Sequence, residues 1–179
     1  KLEFLRRSLE FGKQQNRKVS SIFQKHSEVL LEAHLVASMA SCFLNSLDKA
    51  KAHLEWVEAI GPNRTSINPM YQLVKGLLES DSNMKLIYFQ NAIDLDRNFQ
   101  MSHWFLANQL DFNFRRRGEI TLDRSKRVIQ AFERVIEINA GNIASLGAAA
   151  NLLWLAGENE KARKILIEAI DIKAITSQT

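Results

Sequence analysis

Apolar residues in this chain recur every three or four positions, the spacing of one helix face, with polar residues filling the intervals. The pattern is clearest from Asn142 to Lys173, NIASLGAAANLLWLAGENEKARKILIEAIDIK. Leu146, Ala149, Ala150 and Leu153 predict one helix, Gly157-Glu158 a turn, and Ala162, Leu166 and Ala169 a second helix. Small residues on that second stripe let a neighbouring helix approach closely, and Leu166 is expected to fill the space between them. A helix pair of this size cannot bury both of its faces alone, which raises the question of recurrence.

Earlier segments read the same way. Leu2, Leu5 and Leu9, then Val19, Ile22 and Phe23, predict one or two basic amphipathic helices with a break near Gly12. Glu28 to Leu44 predicts a helix rich in small residues (Ala37, Ser38, Ala40, Ser41), followed by a turn at Asn45-Ser46. Asp48 is the expected N-cap of the next helix, which carries Ala50, Leu54 and Val57 and stops at Gly61-Pro62. Pro69 opens another helix, with Tyr71, Val74 and Leu78 on its apolar face.

The stripe Ala50, Leu54, Val57, Pro62 recurs as Lys85, Phe89, Ala92, Arg97 after 35 residues. It recurs again as Val128, Phe132, Val135, Ala140 after 43, and as Ala162, Leu166, Ala169, Ala174 after 34. The helix ends echo one another too: AIDLD at 92–96, VIEIN at 135–139, AIDIK at 169–173. Intervals near 34 with one lengthened by about nine residues predict an array of helical hairpins with one insertion.

On these positions the chain resembles the tetratricopeptide-repeat family, from about Glu28 to Lys173. The first-helix positions of the family's unit fall on Leu146, Ala149, Ala150 and Leu153 in the fourth hairpin. In the third they fall on His103, Leu106, Ala107 and Leu110, and in the first on His34, Ala37, Ser38 and Ser41. The second hairpin is irregular, and only the first has the proline that often closes the unit. The resemblance implies an all-α fold, a right-handed α-α superhelix built as a solenoid of about four hairpins, with first helices lining a concave face. Residues 1–27 are then expected to be capping helices or a degenerate repeat, and 28–174 the repeat domain, with the insertion around 112–127.

Composition narrows the class. The chain has 179 residues, 46% hydrophobic and 25% charged, ordinary for a folded globular chain. Two prolines and seven glycines suit long regular elements. The most apolar run, Leu146 to Ala156, is too short to span a membrane and contains Asn151. A single cysteine, Cys42, allows no internal disulfide and points to a cytoplasmic setting. The start at Lys1 rather than Met suggests a piece of a longer protein. The net charge of +4 is compatible with an acidic partner without requiring one.

Chemistry-bearing patterns are sparse. His26, His34, His53 and His103 lack metal-ligand spacing, Cys42 sits among apolar helix residues, and no phosphate loop or nucleophile elbow occurs. The expectation is a protein without catalytic activity, metal or cofactor. Asn63-Arg64-Thr65 is a formal glycosylation sequon of a kind that arises readily by chance.

Two regions carry functional expectations. Under the resemblance, Met101, Trp104, Phe105, Asn108 and Asp111 would face the groove from the third hairpin, and Ala144, Gly147, Ala148, Asn151 and Trp154 from the fourth. Asn108 and Asn151 are equivalent positions, where family members use Asn to bond a peptide backbone; the tryptophans would add flat apolar area. The bland reading is that both tryptophans pack in the core and both asparagines are solvated. The basic clamp that some members use for a C-terminal carboxylate is missing. Its places hold Leu35, Met39, Trp104, Phe105, Ala144 and Ala148, so a more apolar peptide or partner domain is expected.

The second region is the insertion FNFRRRGEITLDRSKR, Phe112 to Arg127. Arg115, Arg116, Arg117, Arg124 and Arg127, with Lys126, could meet an acidic partner or nucleic-acid phosphates, and Phe112 and Phe114 could stack on bases. Against this, a charge run between helices is usually a solvated surface, and the two phenylalanines follow a helical period into the core. The leading expectation is therefore a protein-interaction scaffold, with self-association open to it. The alternatives are a nucleic-acid-associated accessory domain and a regulatory repeat domain of an enzyme whose catalytic part lies elsewhere.

Overall fold

The computed structural model describes residues 17–61, 65–116, 122–139 and 142–176, and the side chains of 26–61, 65–116, 126–139 and 142–171. Among the described residues there are eight α-helices and no strand. They are α1 (Arg17–Phe43), α2 (Leu47–Ile60), α3 (Pro69–Leu78) and α4 (Ser82–Leu95). The rest are α5 (Gln100–Arg116), α6 (Leu122–Ile138), α7 (Ile143–Leu155) and α8 (Asn159–Thr176). The chain divides into two compact units, one up to Ser80 and one from Asp81.

In the first unit α1 and α2 form a hairpin, and α3 packs against both. Its core is Leu31, Leu35, Leu54, Val57 and Val74, joined by Met39, Met70, Tyr71 and Leu78. Ser38 lies fully buried between the two helices of the hairpin, where its hydroxyl donates to the Ala50 carbonyl at 2.6 Å. Helix α1 is continuous from Arg17 through the Glu28 boundary expected from the sequence. The expectations at Leu2, Leu5, Leu9 and Gly12, and those for the side chains of Val19, Ile22 and Phe23, lie outside the described residues.

The turn at Asn45 closes α1 by a definite geometry. Asn45 takes φ 54°, its N–H donates to the Cys42 carbonyl at 3.0 Å, and the Ser46 N–H reaches back to Ser41 at 2.8 Å. These are the two bonds of a Schellman motif, which satisfies carbonyls that the helix end would leave unpaired. Gly157 does the same after α7, at φ 82°, with bonds from Gly157 N–H to Trp154 and from Glu158 N–H to Leu153. The expected cap at Asp48 is corrected: α2 begins at Leu47 after Ser46, so Asp48 sits in the first turn. There its charge still faces the positive end of the helix dipole. Pro69 opens α3 as expected, with Asn68 as the cap that accepts from the Tyr71 N–H at 3.1 Å.

In the second unit α4 packs on α5, α5 on α6, α6 on α7, and α7 on α8. The core collects Ala107, Val128, Ile129, Phe132, Ala149, Leu152, Leu153 and Ala162. The second and third positions of the recurring stripe are buried in the first three copies, including Phe89, Ala92 and Val135, whereas Lys85 is half-buried, Arg97 is exposed, and Pro62 and the side chains of Ala140 and Ala174 lie outside the described residues. Leu166 departs from this. It is 46% exposed, because no further helix among the described residues covers α8. Asp81 and Asn142 cap α4 and α7, accepting from the N–H groups of Met84 and Ser145.

The lengthened third interval is mostly helix rather than loop. Helix α5 extends six residues past Leu110, whereas α7 extends two past the equivalent Leu153. Helix α6 begins six residues before Val128, whereas α8 begins three before Ala162. Gly118 lies outside the described residues.

Candidate functional site

The first helices of the second unit, α5 and α7, carry the groove residues expected from the sequence, and the two helices treat them differently. On α5, Trp104 is half-buried with its ring edge-on to Phe132, centroids 5.7 Å apart, so it belongs to the core. Phe105 is half-buried 5.7 Å from Phe89 of α4. Asn108 is also half-buried, and its side-chain amide donates to the Trp104 carbonyl one turn earlier at 2.7 Å. Asp111 holds the Nε of Arg115 through both carboxylate oxygens at 2.9 Å. Met101 is half-buried. This face is largely engaged within the protein.

On α7 the balance is reversed. Ala144, Asn151 and Trp154 are exposed, Trp154 by 62%. Gly147 and Ala148 are half-buried, and a Cβ placed on Gly147 would meet nothing within 4 Å. Ala144, Gly147, Asn151 and Trp154 follow the three-and-four spacing of one helical face. That face presents one large aromatic and one amide beside two residues with little or no side chain. The sequence placed Trp104 and Trp154 on an equal footing; only the packing of α5 on α6 separates them.

The basic stretch is divided as well. Arg115 is paired with Asp111, and Arg116 and Arg127 are exposed. Arg117 and the side chain of Arg124 lie outside the described residues. Of the two phenylalanines expected to enter the core, Phe114 does so, packing against the cluster around Phe132. Phe112 does not: it is 55% exposed on the opposite side of α5.

In the first unit, His34 is half-buried between α1 and α2. Its ring stacks on Trp56 at 5.3 Å with 8° between planes, and its Nδ1 lies 3.0 Å from Nδ1 of His53. Burial lowers its pKa below the ordinary histidine value, and the neighbouring His53 lowers it further. At that distance one imidazole donates and the other accepts, a hydrogen bond across the hairpin whose direction the tautomers set. His103 is buried, with Nε2 2.9 Å from the Arg97 carbonyl. Cys42 is half-buried, and burial pushes its thiol pKa up, away from nucleophilic character. Among the described residues no group of three or more His, Cys, Asp or Glu side chains could hold a metal ion. None of the described helices is long and apolar enough to cross a membrane.

Two apolar surfaces went unread in the sequence. On α1, Val29, Ala33, Val36 and Ala40 are exposed along one face, at spacings of four, three and four. On α8, Leu166, Ile167 and Ile170 are exposed together. The spacing was visible in both; the exposure of these side chains was not.

No protein-family model matches the chain, and no curated protein matches it. Solved structures do. A structure described as that of MamA is 14% identical, with a TM-score of 0.63, covering 99% of this chain and 90% of its own. A second, described as MamA protein, is 16% identical with a TM-score of 0.60, over 90% of this chain and 82% of its own. A MamA RS-1 ArsTM double mutant is 10% identical with a TM-score of 0.63, over 99% and 97%. At such identities the likeness is one of fold, and with the stacked hairpins it makes this chain an all-α helical-repeat solenoid, tetratricopeptide-like at the level of fold.

Proposed function

We propose that the chain is a non-enzymatic protein-interaction scaffold, and that the outward face of α7 takes an apolar peptide or partner segment. Trp154 carries this reading. A tryptophan left 62% exposed on a helix, with open space beside Gly147 two turns away, offers large contact area at little entropic cost. Asn151, exposed between them, can meet a bound backbone with both a donor and an acceptor. Asn108 and Trp104, the equivalent pair on α5, are engaged within the fold instead, Asn108 with the Trp104 carbonyl and Trp104 with Phe132.

The test is a peptide selection on the immobilised folded chain from a displayed random library, followed by affinity measurement of the enriched sequences. Trp154→Ala should weaken them about 30-fold, the scale of a buried aromatic anchor, and Asn151→Ala by a smaller factor. Both variants should keep the melting temperature of the parent chain, since neither side chain is part of the core. Enriched peptides that bind Trp154→Ala as tightly as the parent would remove α7 as the site.

A further inference from the structure

We propose that His34 and His53 form a two-imidazole chelating site for a divalent transition-metal ion, Cu(II) in preference to Zn(II), between helices α1 and α2. The site lies within the first compact unit and is independent of the α7 reading.

The distance between two ring nitrogens carries the proposal. Nδ1 of His34 and Nδ1 of His53 stand 3.0 Å apart. Imidazole nitrogens bind these ions at about 2.0–2.1 Å. Two of them on one ion lie about 2.8–3.0 Å apart at the right angle of tetragonal Cu(II), and about 3.3–3.4 Å apart at the tetrahedral angle of Zn(II). The pair as it stands matches the first arrangement and falls a few tenths of an ångström short of the second. Nineteen positions separate the two histidines in the chain, so no ligand spacing marks them, and only the α1–α2 hairpin brings them together.

Packing on both helices fixes this separation. One turn from each histidine, Ser38 of α1 is fully buried and bonded to the Ala50 carbonyl of α2 at 2.6 Å. Leu35 and Leu54, the immediate chain neighbours of the two histidines, are buried in the same core. The His34 ring is set in orientation by its stack on Trp56, at 5.3 Å with 8° between planes. Much of the ordering that binding would impose on two free side chains is therefore already in place. Both rings are half-buried, so solvent still reaches them.

Protonation favours the ion as well. Burial, and then the neighbouring His53, lower the pKa of His34, which holds this imidazole in the neutral form that a metal requires. On binding, the proton between the two Nδ1 atoms moves to Nε2 of the donor ring. Both Nδ1 lone pairs then serve the ion, and no net proton is released. Among the described residues no third His, Cys, Asp or Glu completes the set, so the other coordination positions are open to water. Such an open nitrogen site suits Cu(II), which heads the affinity order of the divalent ions, better than Zn(II), whose structural sites are closed by four protein ligands.

Calorimetric titration of the full chain with copper(II) chloride, and separately with zinc(II) chloride, tests this. One ion per chain is expected, Cu(II) the tighter, with a melting temperature that rises as either ion is added. Cu(II) quenches tryptophan emission at short range, so emission should fall during the titration, and fall much less in Trp56→Phe at unchanged stoichiometry. His34→Asn and His53→Asn should each lose the saturable binding, and His26→Asn should keep it. Far-UV circular dichroism verifies folding. If either histidine variant unfolds, nitrogen NMR of the imidazoles in the parent chain decides instead: Zn(II) should shift Nδ1 of His34 and His53 and leave His26 and His103 in place. A parent chain without saturable binding overturns the proposal. So does one-to-one binding that survives both substitutions, or Nδ1 shifts confined to the other histidines, since either places the ion elsewhere.

Discussion

Serine occupies three fully buried positions on the first helices, and the physical consequence differs with its partner. Ser38 donates to the Ala50 carbonyl across the α1–α2 hairpin at 2.6 Å. Ser102 and Ser145, in equivalent positions on α5 and α7, keep hydroxyls that find no hydrogen-bond partner among the described residues. A satisfied buried hydroxyl contributes about 1 kcal/mol, whereas an unsatisfied one costs about 1–3 kcal/mol of desolvation. Ser38→Ala should therefore lower the stability measured by urea unfolding by about 1 kcal/mol. Ser145→Ala should leave it unchanged or raise it by about 1 kcal/mol, because the small volume that the close approach needs is preserved. An equal loss in both variants would mean that Ser145 has a partner, such as a water, that stabilises it. Nothing in the sequence separates these serines: each sits in a small-residue run, and only the position of the neighbouring carbonyl decides.

At the scale of elements, the hairpin turns show what spacing and residue type can reveal. Asn45 and Gly157 were legible as turns, and both proved to hold left-handed backbone, at φ 54° and 82°. A side chain with a Cβ resists this region by about 1–2 kcal/mol, asparagine less than most and glycine not at all. Gly157→Ala should thus cost about 1 kcal/mol in a denaturant titration, while Asn45→Gly should be neutral or slightly stabilising. No neighbour complicates the first change, since a Cβ on Gly157 meets no atom within 4 Å. The burial stripe was equally legible, because the same face is covered in each internal hairpin: Leu54, Phe89 and Phe132 are all buried. It failed at Leu166 for a reason outside any local pattern. Periodicity names the face of a helix, and only a neighbouring helix makes that face a core. The same limit explains the two tryptophans, with Trp104 taken up by Phe132 and Trp154 left in solvent.

For the whole molecule, two compact units with separate cores imply that damage stays local. Phe132 is 1% exposed at the centre of the second unit's core, so Phe132→Ala should cost about 3–5 kcal/mol there. Amide hydrogen exchange should accelerate throughout α5 to α8 while α1 and α2 keep nearly parental protection, as expected where stability is a sum of neighbour terms. Uniform acceleration across the chain would instead show one cooperative block. The lengthened third hairpin fits the same additive logic, and its effect is best stated as helical phase. Four of its extra residues prolong α5 and three precede Val128 in α6, with the other two in the connection. Four and three residues bracket the 3.6 of a single turn, so each arm gains about one revolution and returns to nearly the angle from which it started. The stripe that meets α7 is not rotated out of place. Both arms grow by about 5 Å, and the last turn of α5 carries Arg115 and Arg116. Growth by whole turns thus lengthens the hairpin and sets its basic last turn away from the core while the buried stripe stays in phase.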